Sequence, residues 1–201
     1  MVGDSAGQSK SPREGAGDRT LVERAQEGDR AAFGELYRRH VDRVYSFIVF
    51  RIRDPSVAED LCQDVFFQAL RSIGGFRWRG SVAPWLLRIA RNMVIDHWRR
   101  AGRRPERAMT AMESPEEDGL ADRVVSTADG DADEEAERVL TRDRIAAAAS
   151  NLTDLQEQVL ALRFSAGLSI KETADVMGKS EGAVKNLQHH ALKALKRHLE
   201  S

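Results

Sequence analysis

From Leu21 to Arg100 apolar residues recur at three- and four-residue steps, and nowhere do they alternate with polar ones for the length of a strand. That period is the helical one, so the chain is expected to fold as packed helices with no sheet. Phe33, Leu36, Tyr37, Val41, Val44, Tyr45 and Ile48 make the first stripe. Asp54-Pro55 supplies an N-cap and a first-turn proline for a second helix through SVAEDLCQDVFFQALRSI, which Gly74-Gly75 should stop. After the loop FRWRGS a further helix runs from Ser81 to Arg100, with Pro84 in its first turn. Residues 1–20 lack any apolar period and read as a disordered tail, and 21–104 as a helical domain.

The second half has its own punctuation. Residues 105–132 carry few large apolar groups and much acid, which suits a flexible linker extended by its own charge. That linker is either a passive tether or a mimic of nucleic acid. Residues 133–201 form a second helical block. Thr153 and Gln156 are spaced as a capping box, and so are Ser169 and Glu172. Gly178-Lys179 makes a tight turn before Ser180 caps a longer basic helix. A short helix, a glycine turn and a long basic helix are the signature of a helix-turn-helix.

Charge separates along the chain although the total is only −1. Residues 21–104 hold 16 basic and 10 acidic side chains, residues 105–140 hold 3 and 12, and residues 141–201 hold 9 and 7. Two basic blocks around an acidic one point to a polyanionic partner. The one cysteine, Cys62, allows neither an intrachain disulfide nor a Cys-based metal site. It is either a buried packing residue or a redox switch. No apolar run approaches the ~18 residues of a membrane span, and the N-terminus has no signal core, so a soluble cytoplasmic protein is expected. No nucleophile–base pair, paired carboxylates or phosphate loop stands out, which argues against an enzyme. His189 and His190 have no further ligand at metal spacing.

Wound at 100° per residue, the helix from Ser81 buries Leu86, Leu87, Ala90, Met93, Val94 and Trp98. Its opposite arc carries Trp85, Arg88, Asn92, Asp96 and Arg99, and the preceding loop adds Arg77, Trp78 and Arg79. Arginine neutralises phosphate, asparagine hydrogen-bonds base edges and an aromatic ring stacks on an unpaired base. The preceding helix differs, since no lysine or arginine occurs from Asp54 to Leu70. Its stripe of Asp60, Gln63, Asp64, Phe67 and Arg71 suits a protein partner better than phosphate. In the last helix Val184, Leu187, Ala191, Leu195 and Leu199 form the packing stripe, which leaves Lys185, Asn186, Gln188, His189, His190 and Lys193 to face outward.

Three ordered stretches carry a family resemblance. They are LVERAQEGDRAAFGELYRRHVDRV, then AEDLCQDVFFQALRSIGGFRWRGSVAPWLLRIARNMVIDHWRR, then LTDLQEQVLALRFSAGLSIKETADVMGKSEGAVKNLQHHALKAL. With the patterns D-x-x-Q-[DE]-x-F and W-L-x-x-I-A-x-N in the second, the chain resembles the extracytoplasmic-function (ECF) sigma factors of bacterial RNA polymerase. The resemblance implies an all-α protein whose region 2 bundle and region 4 helix-turn-helix are joined by a linker threading towards the RNA exit channel. It implies that Asp60, Gln63, Asp64, Phe67 and Arg71 dock on the β′ clamp helices of core polymerase, and that region 4 meets the β flap. It gives Arg77, Trp78, Arg79, Ser81, Trp85, Arg88, Asn92 and Arg99 to the −10 element, where a base is flipped out of the melting duplex. It gives Ser180, Glu181, Ala183, Lys185, Asn186, Gln188, His189, His190 and Lys193 to the −35 element. A monomer when free, with no cofactor and with an anti-sigma factor as a common partner, completes the implied picture. The rivals are a stand-alone helix-turn-helix regulator and an adaptor whose basic faces bind an acidic protein.

Overall fold

The computed structural model describes residues 12–102 and 152–199, and every regular element among them is helical. Four helices make the first half: α1 (Pro12–Gln26), α2 (Arg30–Ile52), α3 (Pro55–Ser72) and α4 (Ala83–Arg100). A 3₁₀ turn, Ile73–Gly75, follows α3. Three make the second: α5 (Asp154–Leu160), which runs on as a π-helical turn over Ala161–Ser165, then α6 (Ile170–Met177) and α7 (Glu181–Leu199). The expected linker at 105–132, and the stretch from 133 to 151 assigned to the second domain, lie outside the described residues.

Local chemistry sets the helix ends. The Asp29 carboxylate accepts from the Ala31 and Ala32 amides at 2.9 and 3.1 Å, and so starts α2. Asp54 does the same for Ser56 and Val57 at the head of α3, with Pro55 in the first turn. Between them Arg53 ends α2 in the left-handed region at φ 61°, a conformation that costs a non-glycine residue about 1 kcal/mol. Reciprocal capping boxes close the starts of α5, through Thr153 and Gln156, and α6, through Ser169 and Glu172. Gly178, at φ 65°, makes the left-handed turn between α6 and α7. The Ser180 hydroxyl then accepts from the Ala183 amide at 3.2 Å.

α2 is the spine of the first bundle and packs on α1, α3 and α4. Val44, Phe47, Ile48, Ala58, Val65, Leu87, Ala90 and Val94 fill its centre, essentially without solvent contact. In the second body α5 and α6 pack on α7 around Val159, Leu162, Leu168, Val184 and Ala191. The two bodies touch. α4 packs on α6, and the C-terminal part of α2 lies near the π-helical turn.

One boundary departs from the sequence reading. Residues 12–20, assigned to a disordered tail, belong to α1. The cause is polar, which is why an apolar period could not reveal it. Asp18, 6% exposed, accepts from the buried His40 ring at 2.7 Å and from Arg39 at 3.3 Å. Burial alone would raise its carboxyl pKa, but His40 and Arg39 outweigh that and hold it below the usual carboxylate value. Tyr37, read as part of the apolar stripe, is 40% exposed and rests edge-on against Phe66.

Candidate functional site

The α3 stripe is a surface. Asp60, Gln63, Asp64, Phe67 and Arg71 are all exposed while the opposite side of the helix, Leu61, Cys62, Val65 and Phe66, is buried. Phe67 is 62% exposed and Leu70 47%. Asp64, Phe67, Gln68 and Arg71 line a shallow depression closed on one side by Met93 from α4. An exposed phenylalanine ringed by carboxylates and amides has the make-up of a protein-docking patch. Leu70 and Met93 belong to that patch although the stripe did not include them. Their exposure depends on how α3 and α4 pack.

The loop before α4 is organised by an aromatic residue that the sequence pattern left aside. Phe76 lies 4.8 Å from the Trp85 ring and 6.3 Å from Trp78, centroid to centroid. Both tryptophans are thereby half-buried and held near one another. The Gln26 amide at the end of α1 donates to the carbonyls of Ile73 at 2.9 Å and Phe76 at 2.8 Å, which ties down the start of this loop. Arg77 and Arg79 stand exposed beyond it, without an ion pair among the described residues. The Ser81 hydroxyl accepts from the Ala83 amide at 3.3 Å. Along α4, Asn92 is exposed, and Arg99 is exposed with, among the described residues, a 3.4 Å contact to Asp96. Arg88 is engaged: its guanidinium donates to the Asp175 carbonyl of α6 at 2.8 Å. Trp98, assigned to the core, is half-buried beneath the Arg51 guanidinium, 4.3 Å from its ring centre.

On α7 the outward set holds with one exception. Ser180, Glu181, Lys185, Asn186, His189, His190 and Lys193 are exposed and Ala183 is half-exposed. Gln188 has its side-chain oxygen engaged. Half-buried, it accepts from Arg163 at 3.0 Å, while Arg163 also donates to the Leu168 carbonyl. It fastens α7 to the turn after α5. The His189 and His190 rings meet edge to face at 5.7 Å, and no group of three metal-ligating side chains occurs among the described residues. None of the described helices is long and apolar enough to cross a membrane.

Comparison with known proteins matches the same two bodies. Residues 36–104 fit the family model for sigma-70 region 2, and residues 148–197 that for sigma-70 region 4. The chain is 31% identical over 178 residues to the ECF RNA polymerase sigma factor SigX of Bacillus subtilis, covering 84% of each. This chain belongs to the ECF sigma-factor family. It is also 38% identical over 185 residues to the ECF sigma factor BldN of Streptomyces coelicolor, covering 88% of this chain but 64% of that one. Among solved structures, CnrH in complex with the cytosolic domain of CnrY superposes with a TM-score of 0.63 at 25% identity, over 92% of this chain and 97% of CnrH.

In family terms, the contact between the two bodies joins region 2 to region 4, and it is charged. Arg51 at the end of α2 has a side chain only 1% exposed, paired with the Asp154 carboxylate and, at 3.0 Å, with Glu157. Arg53 reaches the other Glu157 oxygen at 2.6 Å, and Arg91 of α4 donates to Gln158 at 3.0 Å. Burial pushes the Glu157 carboxyl above its usual range despite both arginines, and it pulls the Arg91 guanidinium below its own. The partners of Arg51 lie more than 100 residues away in sequence, so no local pattern could announce them.

Cys62 is buried, and its thiol is pushed up to about 11 by burial and by Asp42. At neutral pH only about one thiol in 10⁴ would be ionised, the opposite of what a redox sensor needs.

Proposed function

We propose that this protein is a promoter-specificity subunit of bacterial RNA polymerase. It binds core enzyme, recognises −10 and −35 elements, assists promoter melting and directs initiation at a specific set of genes. The observation that carries the reading is the pairing, within region 2, of an exposed apolar-acidic patch on α3 with an aromatic, arginine-rich loop and helix on the neighbouring face. The first suits a protein and the second an unpaired DNA strand.

In this reading Asp60, Gln63, Asp64, Phe67 and Arg71, joined by Leu70, dock on the β′ clamp helices, and region 4 contacts the β flap. Trp78 and Trp85 offer ring faces to bases that leave the duplex, Asn92 offers an amide to a base edge, and Arg77, Arg79, Arg88 and Arg99 take the backbone. Ser180, Glu181, Ala183, Lys185, Asn186, His189, His190 and Lys193 approach the −35 duplex, and Gln188 acts through the position of α7. Polymerase does the chemistry, in the cytoplasm, and this protein directs where it begins. CnrH was solved in complex with the cytosolic domain of CnrY, and an anti-sigma factor is a fitting partner here. Two weak, spaced DNA contacts become selective once one polymerase-bound body carries both.

The test is permanganate footprinting of a promoter fragment with core polymerase, with and without this protein. Thymines near −10 should become reactive only when both proteins are present. Reactivity that never depends on this protein overturns the reading.

A further inference from the structure

The loop between α3 and α4 is held at both ends. At its far end Val82 and Ala83 are fully buried, and Gly80, at φ 94°, turns the chain just before them. At its near end stands Gln26, the last residue of α1. One side-chain amide there donates to two carbonyls, that of Ile73 at 2.9 Å and that of Phe76 at 2.8 Å. These carbonyls bracket the point where the chain leaves the 3₁₀ turn and becomes extended, since Phe76 lies at φ −68° and ψ 135°. Arg77 to Ser81 span the distance between the two anchors. The Phe76 backbone that Gln26 holds carries the ring lying 4.8 Å from Trp85 and 6.3 Å from Trp78. A path therefore runs from the Gln26 amide through Phe76 to both tryptophans. The donor sits on a pinned element: Leu21, Val22 and Ala25 of α1 are buried, and Asp18 is bonded to His40. α1 precedes residues 36–104, which match sigma-70 region 2, so the family pattern assigns Gln26 no part in the loop.

We propose that Gln26 is a positioning residue for the −10 element: by holding the Ile73 and Phe76 carbonyls it fixes Trp78 and Trp85 around an unpaired base, and so sets how sharply one base is told from another. The proposal rests on the sigma-factor reading and adds to it a residue that touches no DNA. Stacking on an aromatic ring tolerates every base, whereas hydrogen bonds to base edges discriminate and demand fixed positions. A loosened loop therefore loses discrimination before it loses affinity. Each bond to a carbonyl shifts a population by a factor of roughly three, and the two together by about tenfold. Both lie near the surface, away from the packed centre of the bundle, so their loss leaves the fold in place.

The experiment uses holoenzyme assembled from core polymerase and the full chain. Its probe is a fluorescent forked DNA from a start site mapped with the wild-type protein, with a single-stranded non-template tail covering the −10 element. Each tail base is replaced in turn, and discrimination is the ratio of dissociation constants for the replaced and the native tail, read by anisotropy. Gln26→Glu sets an acceptor-only carboxylate against both carbonyls. At the position where wild type discriminates most, that ratio should fall about tenfold, or to one where it starts lower. 2-Aminopurine placed there should lose the quenching that stacking on a tryptophan gives. Gln26→Lys, whose ammonium donates to carbonyls, should keep the ratio within threefold of wild type. A uniform change in affinity from the altered charge, or a smaller folded fraction, cancels in the ratio. If Gln26→Glu is unfolded by circular dichroism, Gln26→Ala is read in its place, with the same fall expected. A ratio within twofold of wild type in the variant without the donor overturns the proposal, and so does an equal fall in Gln26→Lys. If wild-type holoenzyme starts no discrete transcripts, or tells no tail base from another, the sigma-factor reading itself fails. Discrimination that survives loss of the Gln26 donor sinks only the positioning role.

Discussion

Replacing Asp18 by alanine tests whether α1 is a structural part of region 2. The Asp18 carboxylate is the partner of the His40 Nε2, and the His40 side chain is 6% exposed. Removing the carboxylate deletes a hydrogen bond to a charged group and strands a buried imidazole nitrogen, at about 2 kcal/mol. In a bundle of this size that lowers the melting temperature by roughly 8–16 °C. The pH dependence carries its own sign. The folded carboxyl titrates below its ordinary value of 3.8, so its contribution is complete above that pH and is lost as the pH falls through the folded value. Thermal melts by circular dichroism at neutral pH should show the loss, and melts of both proteins should converge only once the pH is below the folded value, which itself lies under 3.8. Amide exchange should speed first in residues 17–26, because Asp18 of that helix holds the buried His40 ring. A melting temperature within 1 °C of wild type, with α1 amides still protected, would refute the reasoning.

Cys62 should react with iodoacetamide about 100-fold more slowly in the folded chain than in urea, as expected for a thiol raised from 9.0 to about 11; equal rates would return it to the list of redox switches. Trp85→Ala and Asn92→Ala should each slow open-complex formation at least tenfold while leaving core affinity within twofold, measured by permanganate reactivity and by fluorescence titration of core enzyme. Matched losses in both assays would contradict the division of labour between α4 and α3. Gln63→Ala combined with Asp64→Lys should instead weaken core binding by tenfold or more, and unchanged affinity would remove the α3 patch from that role.

Much of the architecture could be read from the chain because its signals are local. Asp54-Pro55, the Thr153–Gln156 and Ser169–Glu172 boxes and Gly178 act within three or four residues of where they sit, and each helix start or turn they announced is in the structure. The exposed sides of α3 and α7 follow from the 3.6-residue period for the same reason. What escaped depends on residues far apart in sequence. α1 is tied by Asp18 to a histidine 22 residues on, Gln26 holds a loop 47–50 residues on, and Arg51 finds its acids 103–106 residues on. Phe76 looked like an ordinary loop residue until packing set it between two tryptophans. Gln188 looked outward on a helical wheel because a wheel ignores Arg163, which arrives from another element.

The measurement that bears most directly on the account is transcription in vitro with purified core polymerase and a pool of genomic fragments. Transcripts should arise from a discrete set of start sites only when this protein is added, and those sites should share two short motifs at a constant spacing. If core polymerase ignores the protein while duplex fragments bind it alone, the account is contradicted and a stand-alone helix-turn-helix regulator takes its place.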